Sequence, residues 1–210
     1  MSKKIIVGIT GASGAIYAQR LLHYLEESSC VETINLVITS AATTVIREEL
    51  SLKFSGVRET DAELLLGRPT AKIKHFPVKD IGASIASGSY PVDAMVIIPC
   101  SVNTLGMLAA GIVRDLVHRA ADVTLKESRK LILVPRETPL NRIHLENLLK
   151  LHQAGATIIP AMPAFYHKPN TILDLVDHFV FRILDHLGVV HSNESVWQGR
   201  GKKLHSDLTE

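Results

Sequence analysis

Five short runs of Ile, Val and Leu recur along this chain, separated by stretches with helical periodicity. The runs cover residues 5–10, 34–39, 94–99, 131–135 and 157–160, and the helical stretches cover residues 15–27, 41–50, 115–127, 141–153 and 171–187. The runs are almost continuously apolar, which is typical of strands in a parallel sheet whose two faces are both covered by helices. This alternation predicts a doubly wound α/β fold with a mostly parallel sheet.

The remaining segments fit a single domain of this kind. With 210 residues, 46% of them hydrophobic, the chain is long enough to bury one sizeable core. Residues 51–92 carry charges followed by a loop of small residues, and residues 191–210 are polar and contain the only tryptophan, Trp197. We expect one Rossmann-like, flavodoxin-like domain over residues 1–190. Residues 191–210 would be a polar tail that packs on this domain or on a neighbouring subunit.

Charge, cysteine content and hydropathy argue against several classes of protein. The 23 Lys and Arg residues nearly balance 21 Asp and Glu residues, which leaves no basic footprint for nucleic acid. Cys30 and Cys100 cannot build a disulfide framework. No apolar run approaches the roughly 18 residues of a membrane span, and the N-terminus lacks a signal-peptide core. We therefore expect no nucleic-acid partner, no membrane span and a cytoplasmic location.

Polar residues follow each predicted strand. They occupy residues 8–14, 39–40, 99–104, 135–139 and 160–169. In open α/β sheets, ligands bind beyond the carboxyl ends of the strands. Hydroxyl groups, amides and the adjacent pair Arg136 and Glu137 should therefore converge on one edge of the sheet and form a site there.

The glycine loop at residues 8–14 opens a predicted helix, whose free N–H groups and dipole favour a phosphate. Its glycines are spaced G-x-x-G-x-x-G, whereas dinucleotide folds use G-x-G-x-x-G. Thr39 and Ser40 end the second strand, where a dinucleotide fold has an acidic residue for the ribose. The pattern favours a mononucleotide such as FMN over NAD, although a tight turn without a ligand has the same spacing.

The sequence shows no spacing typical of a metal site. H-E-x-x-H is absent, Cys100 has no partner three residues further on, and no paired aspartates of the magnesium-chelating kind occur. We expect no bound metal.

Seven strings, in order along the chain, resemble those of the UbiX-type flavin prenyltransferases. They are GASGAIY at residues 11–17, ASGS at 86–89, PCS at 99–101, RAADV at 119–123, LKE at 125–127, PRETP at 135–139 and PAFYH at 163–167. Each string is short, but their succession extends over essentially the whole chain. PCSVNT at residues 99–104 is also similar to the Pro-Ala-Ser-Ala-Asn-Thr string of the flavin-dependent cysteine decarboxylases, whose later Met-rich motif is missing here.

The resemblance implies a reaction and its reactants. Such enzymes join a dimethylallyl group from dimethylallyl monophosphate to N5 and C6 of reduced FMN without a metal, and the prenylated FMN serves UbiD-type decarboxylases. They are homo-oligomers, often dodecamers, with active sites between subunits. The apolar stretch at residues 104–112 fits burial in the core or in such an interface. Two alternatives remain: an FMN-dependent decarboxylase of phenolic acids or peptidyl cysteine, and a non-catalytic carrier of prenylated FMN.

The resemblance also implies residue roles. FMN would contact Gly11, Ala12, Ser13, Thr39, Ser101, Val102, Asn103, Thr104 and Arg136. The prenyl donor would contact Ser87, Arg119, Lys126, Tyr166, Arg182 and Trp197, with Arg136 also on its phosphate. Ser13, Glu49, Lys126 and Glu137 would be catalytic: Glu137 protonates the leaving phosphate, Ser13 relays the proton, and Glu49 pairs with Lys126. Without the resemblance, Arg119, Lys126 and Arg182 read equally well as solvated surface charges.

Overall fold

The computed structural model describes residues 2–55 and 60–191. Its strands form one parallel sheet of order β3-β2-β1-β4-β5-β6. They are β1 (Lys3–Ile9), β2 (Val31–Ile38), β3 (Ile73–Phe76), β4 (Ala94–Cys100), β5 (Lys130–Pro135) and β6 (Thr157–Ile158). The predicted doubly wound α/β fold is confirmed, and within the described ranges the sheet is entirely parallel.

Helices connect the strands. In the described part of the chain they are α1 (Ala15–Glu27), α2 (Ser40–Leu50), α3 (Asp61–Leu66), α4 (Val102–Ala109), α5 (Leu116–Lys126), α6 (Arg142–Gln153) and α7 (Ile172–Leu187). None of these helices is long and apolar enough to cross a membrane. Every predicted strand and helix is present, with ends that shift by no more than a few residues.

One strand and two α-helices of the described chain were not predicted. Strand β3 and helix α3 lie in the charged segment that the sequence left without regular structure, and β3 forms an edge of the sheet, where its side chains are only partly buried. Helix α4 occupies much of the apolar stretch at residues 104–112. Its Leu105 and Ala109 are buried, whereas Ile112 beyond its end is 53% exposed. The expected burial on all sides is therefore not achieved within one chain.

Both faces of the sheet are apolar and both are covered by helices. Ile5 and Val7 of β1 belong to one buried cluster, together with Leu21 of α1. The intervening Ile6 belongs to a second cluster, together with Val117 of α5. Because successive side chains of a strand point to opposite faces, a strand covered on both faces must be apolar at nearly every position. This requirement explains the continuous apolar runs.

Helices α1 and α7 cover the same face and are joined by a bidentate ion pair. Arg20 donates from Nε to Oδ1 of Asp177 at 2.6 Å and from Nη2 to Oδ2 at 2.7 Å. The two side chains are only 28% and 19% exposed. The hydrogen bonds to Asp177 are the main reason that the pKa of Arg20 is raised.

We expect Asp177→Asn to lower the free energy of unfolding by about 1–2 kcal/mol, because the partly buried guanidinium loses one of two charge-assisted hydrogen bonds. Urea unfolding of the two proteins measures this difference. The control is Glu146→Gln, which breaks the exposed pair of Arg142 and Glu146 on α6 and should cost no more than about 0.5 kcal/mol. Equal losses in the two variants would contradict a stabilising role for the Arg20 pair.

Candidate active site

A cavity of about 380 Å³ opens at the carboxyl ends of β1, β2 and β4. Its size lies in the range of roughly 300–1,000 Å³ that is usual for small-molecule sites. From β1 the chain adds β2 and β3 on one side, and it then crosses back to add β4 on the other side of β1. The cavity therefore lies at the switch point of the sheet, where open α/β folds bind ligands. Its walls are Thr10, Gly11, Thr39, Ser40, Ala41, Val78, Lys79, Ser101, Asn103, Thr104, Arg114, Asp115 and His118.

Two helices begin at this cavity. Thr39 caps α2 by accepting a hydrogen bond from Ala42 N at 3.2 Å, and Ser101 caps α4 by accepting from Thr104 N at 3.3 Å. The first N–H groups of a helix have no partner inside the helix, and its dipole places positive charge there. Together with the hydroxyl groups of the walls, the two helix starts make the cavity suitable for an anionic, hydroxyl-rich ligand.

The start of α1 differs from the expectation. Gly14 N and Ala15 N, which the sequence offers to a phosphate, donate to the carboxylate of Glu49 at 2.9 and 2.7 Å. The anion at this helix start is therefore a side chain of the protein itself. Gly11 has a separate role: a Cβ atom on it would lie 2.5 Å from Cβ of Ala41, so the glycine allows the β1–α1 loop to pack on the start of α2.

The residues assigned to FMN fall into two groups. Five of them line the cavity: Gly11, Thr39, Ser101, Asn103 and Thr104. The other four, Ala12, Ser13, Val102 and Arg136, are not among its walls. Arg136 donates from Nε to the carbonyl oxygen of Ser13 at 3.1 Å, which places its guanidinium at the loop before α1. Glu137 follows Arg136 in sequence, and its carboxylate accepts a hydrogen bond from Thr138 N at 3.0 Å, so the contact that the structure shows among these predicted groups is the one between Arg136 and Ser13.

Ser87, Arg119 and Lys126 form a second cluster, at the side of α5. Arg119 donates from Nε to Ala86 O at 3.2 Å and from Nη1 to Asp122 at 2.9 Å. A Cβ atom on Gly88 would lie 2.8 Å from Nζ of Lys126, so the ASGS loop lies against the last turn of this helix. Arg119, Ser87 and Lys126 are thus brought together.

The expected pairing of Glu49 with Lys126 is not formed within the chain. The Lys126 ammonium pairs with Glu127, and Glu49 is held at the start of α1. Each group is satisfied by a nearer partner.

Tyr166 and Arg182 lie at α7. The Tyr166 hydroxyl is 2.9 Å from Nε2 of His178, and Arg182 donates to Asp185 at 2.8 Å. Burial, followed by the charges of His167 and Arg182, lowers the pKa of His178 below its usual value. Trp197 lies outside the described residues.

Six walls of the cavity were missed by the sequence reasoning: Ala41, Val78, Lys79, Arg114, Asp115 and His118. Asp115 caps α5, and its Oδ1 lies 2.7 Å from Nδ1 of His118. Burial of the Asp115 carboxyl opposes its ionisation, but the hydrogen bond and charge of His118 outweigh it and hold its pKa below the usual value. An acidic residue just before an amphipathic helix is a recognisable cap. Lys79 follows an unpredicted strand and gave no signal.

Cys100 contributes no chemistry to the site. It is fully buried at the end of β4, and burial raises the pKa of its thiol. A neutral buried thiol is a poor nucleophile, so the PCS string supplies a strand end and the Ser101 cap.

Known proteins resemble this chain in both sequence and fold. Residues 1–181 match the family model described as Flavoprotein. A relative named Flavin prenyltransferase UbiX, from Alkalihalophilus pseudofirmus, is 48% identical over 197 residues, covering 94% of this chain and 97% of the relative. The chain belongs to the UbiX flavin prenyltransferase family.

Solved structures agree with this membership. A UbiX-like decarboxylase from Escherichia coli O157:H7, described as dodecameric and FMN-dependent, is 44% identical with a TM-score of 0.81, over 93% of this chain and 100% of that one. A UbiX protein named AnUbiX, in complex with FMN and dimethylallyl pyrophosphate, is 38% identical with a TM-score of 0.78, over 90% of this chain and 93% of that one.

We expect Glu49→Ala to lower the free energy of unfolding by about 1–2 kcal/mol, because two N–H groups at the start of α1 lose their anionic partner. Glu49→Gln should cost less, since its amide oxygen still accepts a hydrogen bond. Urea unfolding without ligand measures both. The control is Glu48→Ala, an exposed neighbour on α2; a loss as large as that of Glu49→Ala would mean that the Glu49 contact does not stabilise the fold.

Proposed function

We propose that this protein transfers a dimethylallyl group from dimethylallyl monophosphate to N5 and C6 of reduced FMN, yielding the cofactor of a UbiD-type decarboxylase. The observation that carries the proposal is a polar cavity at the switch point of the sheet, accompanied by separate arginine sites outside it. A transferase of this kind binds two phosphorylated substrates at once, so it needs two sets of phosphate partners.

The cavity fits FMN. Hydroxyl groups of Thr39, Ser101 and Thr104 and the starts of α2 and α4 suit a ribityl phosphate chain, and Gly11 keeps the floor of the cavity close to the backbone. When bound, reduced FMN supplies the nucleophilic nitrogen of the reaction. The role of the cavity is to orient it.

The side chains outside the cavity bind and activate the prenyl donor. An allylic C–O bond breaks readily when the charge on the departing phosphate is neutralised and water is excluded. Arg136, held at Ser13 O, contributes one guanidinium, and Arg182 contributes another. Glu137 gives a proton to the departing phosphate through the Ser13 hydroxyl. Cationic side chains suffice for this step, so we expect it to need no metal.

A neighbouring subunit completes the donor site in this proposal. Within the described ranges, no hydrogen bond or ion pair joins the cluster of Ser87, Arg119 and Lys126 to Arg136 or Arg182. In the proposal, the cluster at α5 of one copy of the chain meets Arg136 and Arg182 of a second copy, so that all these groups bind one phosphate. The partly exposed apolar surface of α4 and Ile112 is suited to such a contact.

The two-part organisation of the chain belongs to the same proposal: a flavin-binding domain over residues 1–190 and a tail over residues 191–210. The first tail residue, His191, donates from Nε2 to Oδ1 of Asp185 at 3.0 Å and stacks on Phe181. The tail thus starts on α7 close to Arg182. The proposal keeps Trp197 as a contact of the prenyl group, as the resemblance implies. We also propose a cytoplasmic location, which suits the free thiols of Cys30 and Cys100.

The test is to incubate the protein with reduced FMN and dimethylallyl monophosphate without oxygen, in excess EDTA, and to measure the mass of the flavin by mass spectrometry. We expect a gain of one C5H8 unit, because cationic side chains replace a metal. A parallel reaction with the diphosphate identifies the preferred donor. Activity that disappears with EDTA and returns with magnesium would contradict the metal-free mechanism.

The same experiment separates the alternatives. Unchanged flavin together with release of carbon dioxide from a phenolic acid or a peptide ending in cysteine would indicate a decarboxylase. Unchanged flavin, no decarboxylation and tight binding of added prenylated FMN would indicate a carrier.

We expect Arg182→Ala to weaken the apparent affinity for the prenyl donor by about 10- to 150-fold, the equivalent of a charge-assisted hydrogen bond of roughly 1.5–3 kcal/mol. FMN affinity should stay nearly unchanged. Tyr166→Phe should act the same way but more weakly, because a neutral hydroxyl contributes less. Steady-state kinetics with varied donor, and titration with FMN, measure the two affinities.

The matched control is Arg142→Ala, because Arg142 is also an exposed helical arginine paired with a carboxylate. It should change neither affinity. An equal loss of affinity for FMN and for the donor in Arg182→Ala would point to general damage to the fold. Unchanged affinities would mean that Arg182 is a solvated surface residue with no role in donor binding.

A further inference from the structure

Two cationic side chains in the wall of the cavity, Lys79 and Arg114, have no hydrogen-bond or ion-pair partner among the described residues. Neither Lys79 nor Arg114 makes a side-chain hydrogen bond or ion pair with any residue in the ranges 2–55 and 60–191. They come from different segments of the chain, and Leu116 N donates to Val78 O at 2.8 Å. That bond holds the segment carrying Lys79 beside the start of α5, which Arg114 precedes by two residues. The fold therefore brings two positive charges to one wall.

The acidic group on this wall is already engaged. Asp115 is the single acid among the described walls of the cavity, and its Oδ1 contacts both the ring and the N–H of His118, at 2.7 and 3.2 Å. Among the described residues, no hydrogen bond or ion pair joins this carboxylate to Lys79 or Arg114. The buried His118 ring, which also lines the cavity, is a second sign of a polar binding site, because its Nε2 has no hydrogen-bond partner among the described residues.

We propose that Lys79 and Arg114 bind the phosphate group of FMN and make the site selective for FMN over unphosphorylated riboflavin. The inference rests on the proposed function. Thr39, Ser101 and Thr104, which we expect to contact FMN, line this cavity. The phosphate is the one strongly charged group of FMN. A phosphate monoester carries about 1.5–2 negative charges at pH 7, which two cations and two helix starts can balance.

The prenyl phosphate is the competing occupant of this wall, and the geometry disfavours it. The arginines expected to hold that phosphate lie elsewhere: Arg136 at Ser13 O, and Arg182 on α7 beside Asp185. Neither of them lines the cavity. Two phosphate positions with separate cations account for all four side chains, whereas a single shared position leaves one pair unused.

The experiment titrates the flavin-free protein with FMN and with riboflavin, following the quenching of flavin fluorescence. We expect Lys79→Ala and Arg114→Ala each to weaken FMN binding by about tenfold, the lower end of a charge-assisted hydrogen bond for exposed groups. The double variant should lose more FMN affinity than either single variant, and because both cations share one phosphate the two losses are not expected to add exactly. Riboflavin affinity should change by less than about twofold, since it has no phosphate. Lys79→Arg and Arg114→Lys, which keep the charge, should recover much of the loss.

The control is Lys150→Ala, an exposed lysine on α6 that is not a wall of the cavity; it should change neither affinity. Unchanged FMN binding in the double variant would overturn the proposal. So would an equal loss for FMN and riboflavin, which would place the ring at this wall, or a rise in the KM of the prenyl donor at saturating FMN without loss of FMN affinity.

These outcomes are separable from failure of the proposed function. A wild-type protein that binds FMN in preference to riboflavin, loses this preference in the variants and yet transfers no prenyl group would support the phosphate site and reject the prenyltransferase. Prenyl transfer by wild type, with a double variant that binds FMN normally, would do the reverse.

Discussion

The buried hydroxyl group of Thr10 joins β1 and β4, the two neighbouring strands at which the strand order of the parallel sheet reverses. It donates to Pro99 O and accepts from Ser101 N, each at 2.8 Å, so the end of β1 is tied to the end of β4. Thr39 N donates to Ile9 O at 3.0 Å, which ties the end of β2 to the same point. The glycine loop and the starts of α2 and α4 are positioned by these bonds. Because buried polar groups are costly to leave unpaired, the strand ends and the cavity form together.

The strands that the sequence predicted are those buried on both faces, because continuous burial leaves a continuous apolar run. Strand β3 has no such apolar run, because its Lys74 is exposed and its other side chains are only partly buried. Its four residues mix polar and apolar side chains at the edge of the sheet, and in the sequence they look like a loop. The site shows the same division. Thr39 and Ser101 were found because they follow predicted strands, whereas Lys79 follows β3 and could not be placed without it.

Glu49 shows what a rule for helix starts cannot decide. The sequence correctly identified a helix start after the glycine loop, but a helix dipole favours any anion, and it is a carboxylate 34 residues beyond Ala15 that binds there. Only tertiary structure brings the end of α2 to the start of α1. With α1 satisfied by the chain itself, the unsatisfied N–H groups facing the cavity are those of α2 and α4, and this selection decides where an external anion can bind.

The two phosphates of a prenyl transfer make opposite demands on the protein. The flavin phosphate must stay in place during the reaction, and in our proposal its partners are strand ends, helix starts and a wall held by the bond from Leu116 to Val78. The donor phosphate must arrive and leave. Arg182 suits that task because its side chain is 56% exposed and its partner Asp185 is 46% exposed. An exposed ion pair is worth at most about 1 kcal/mol, so exchanging Asp185 for a phosphate costs little in either direction. The same weakness that makes such a pair negligible for stability makes it suitable for a group that must be released.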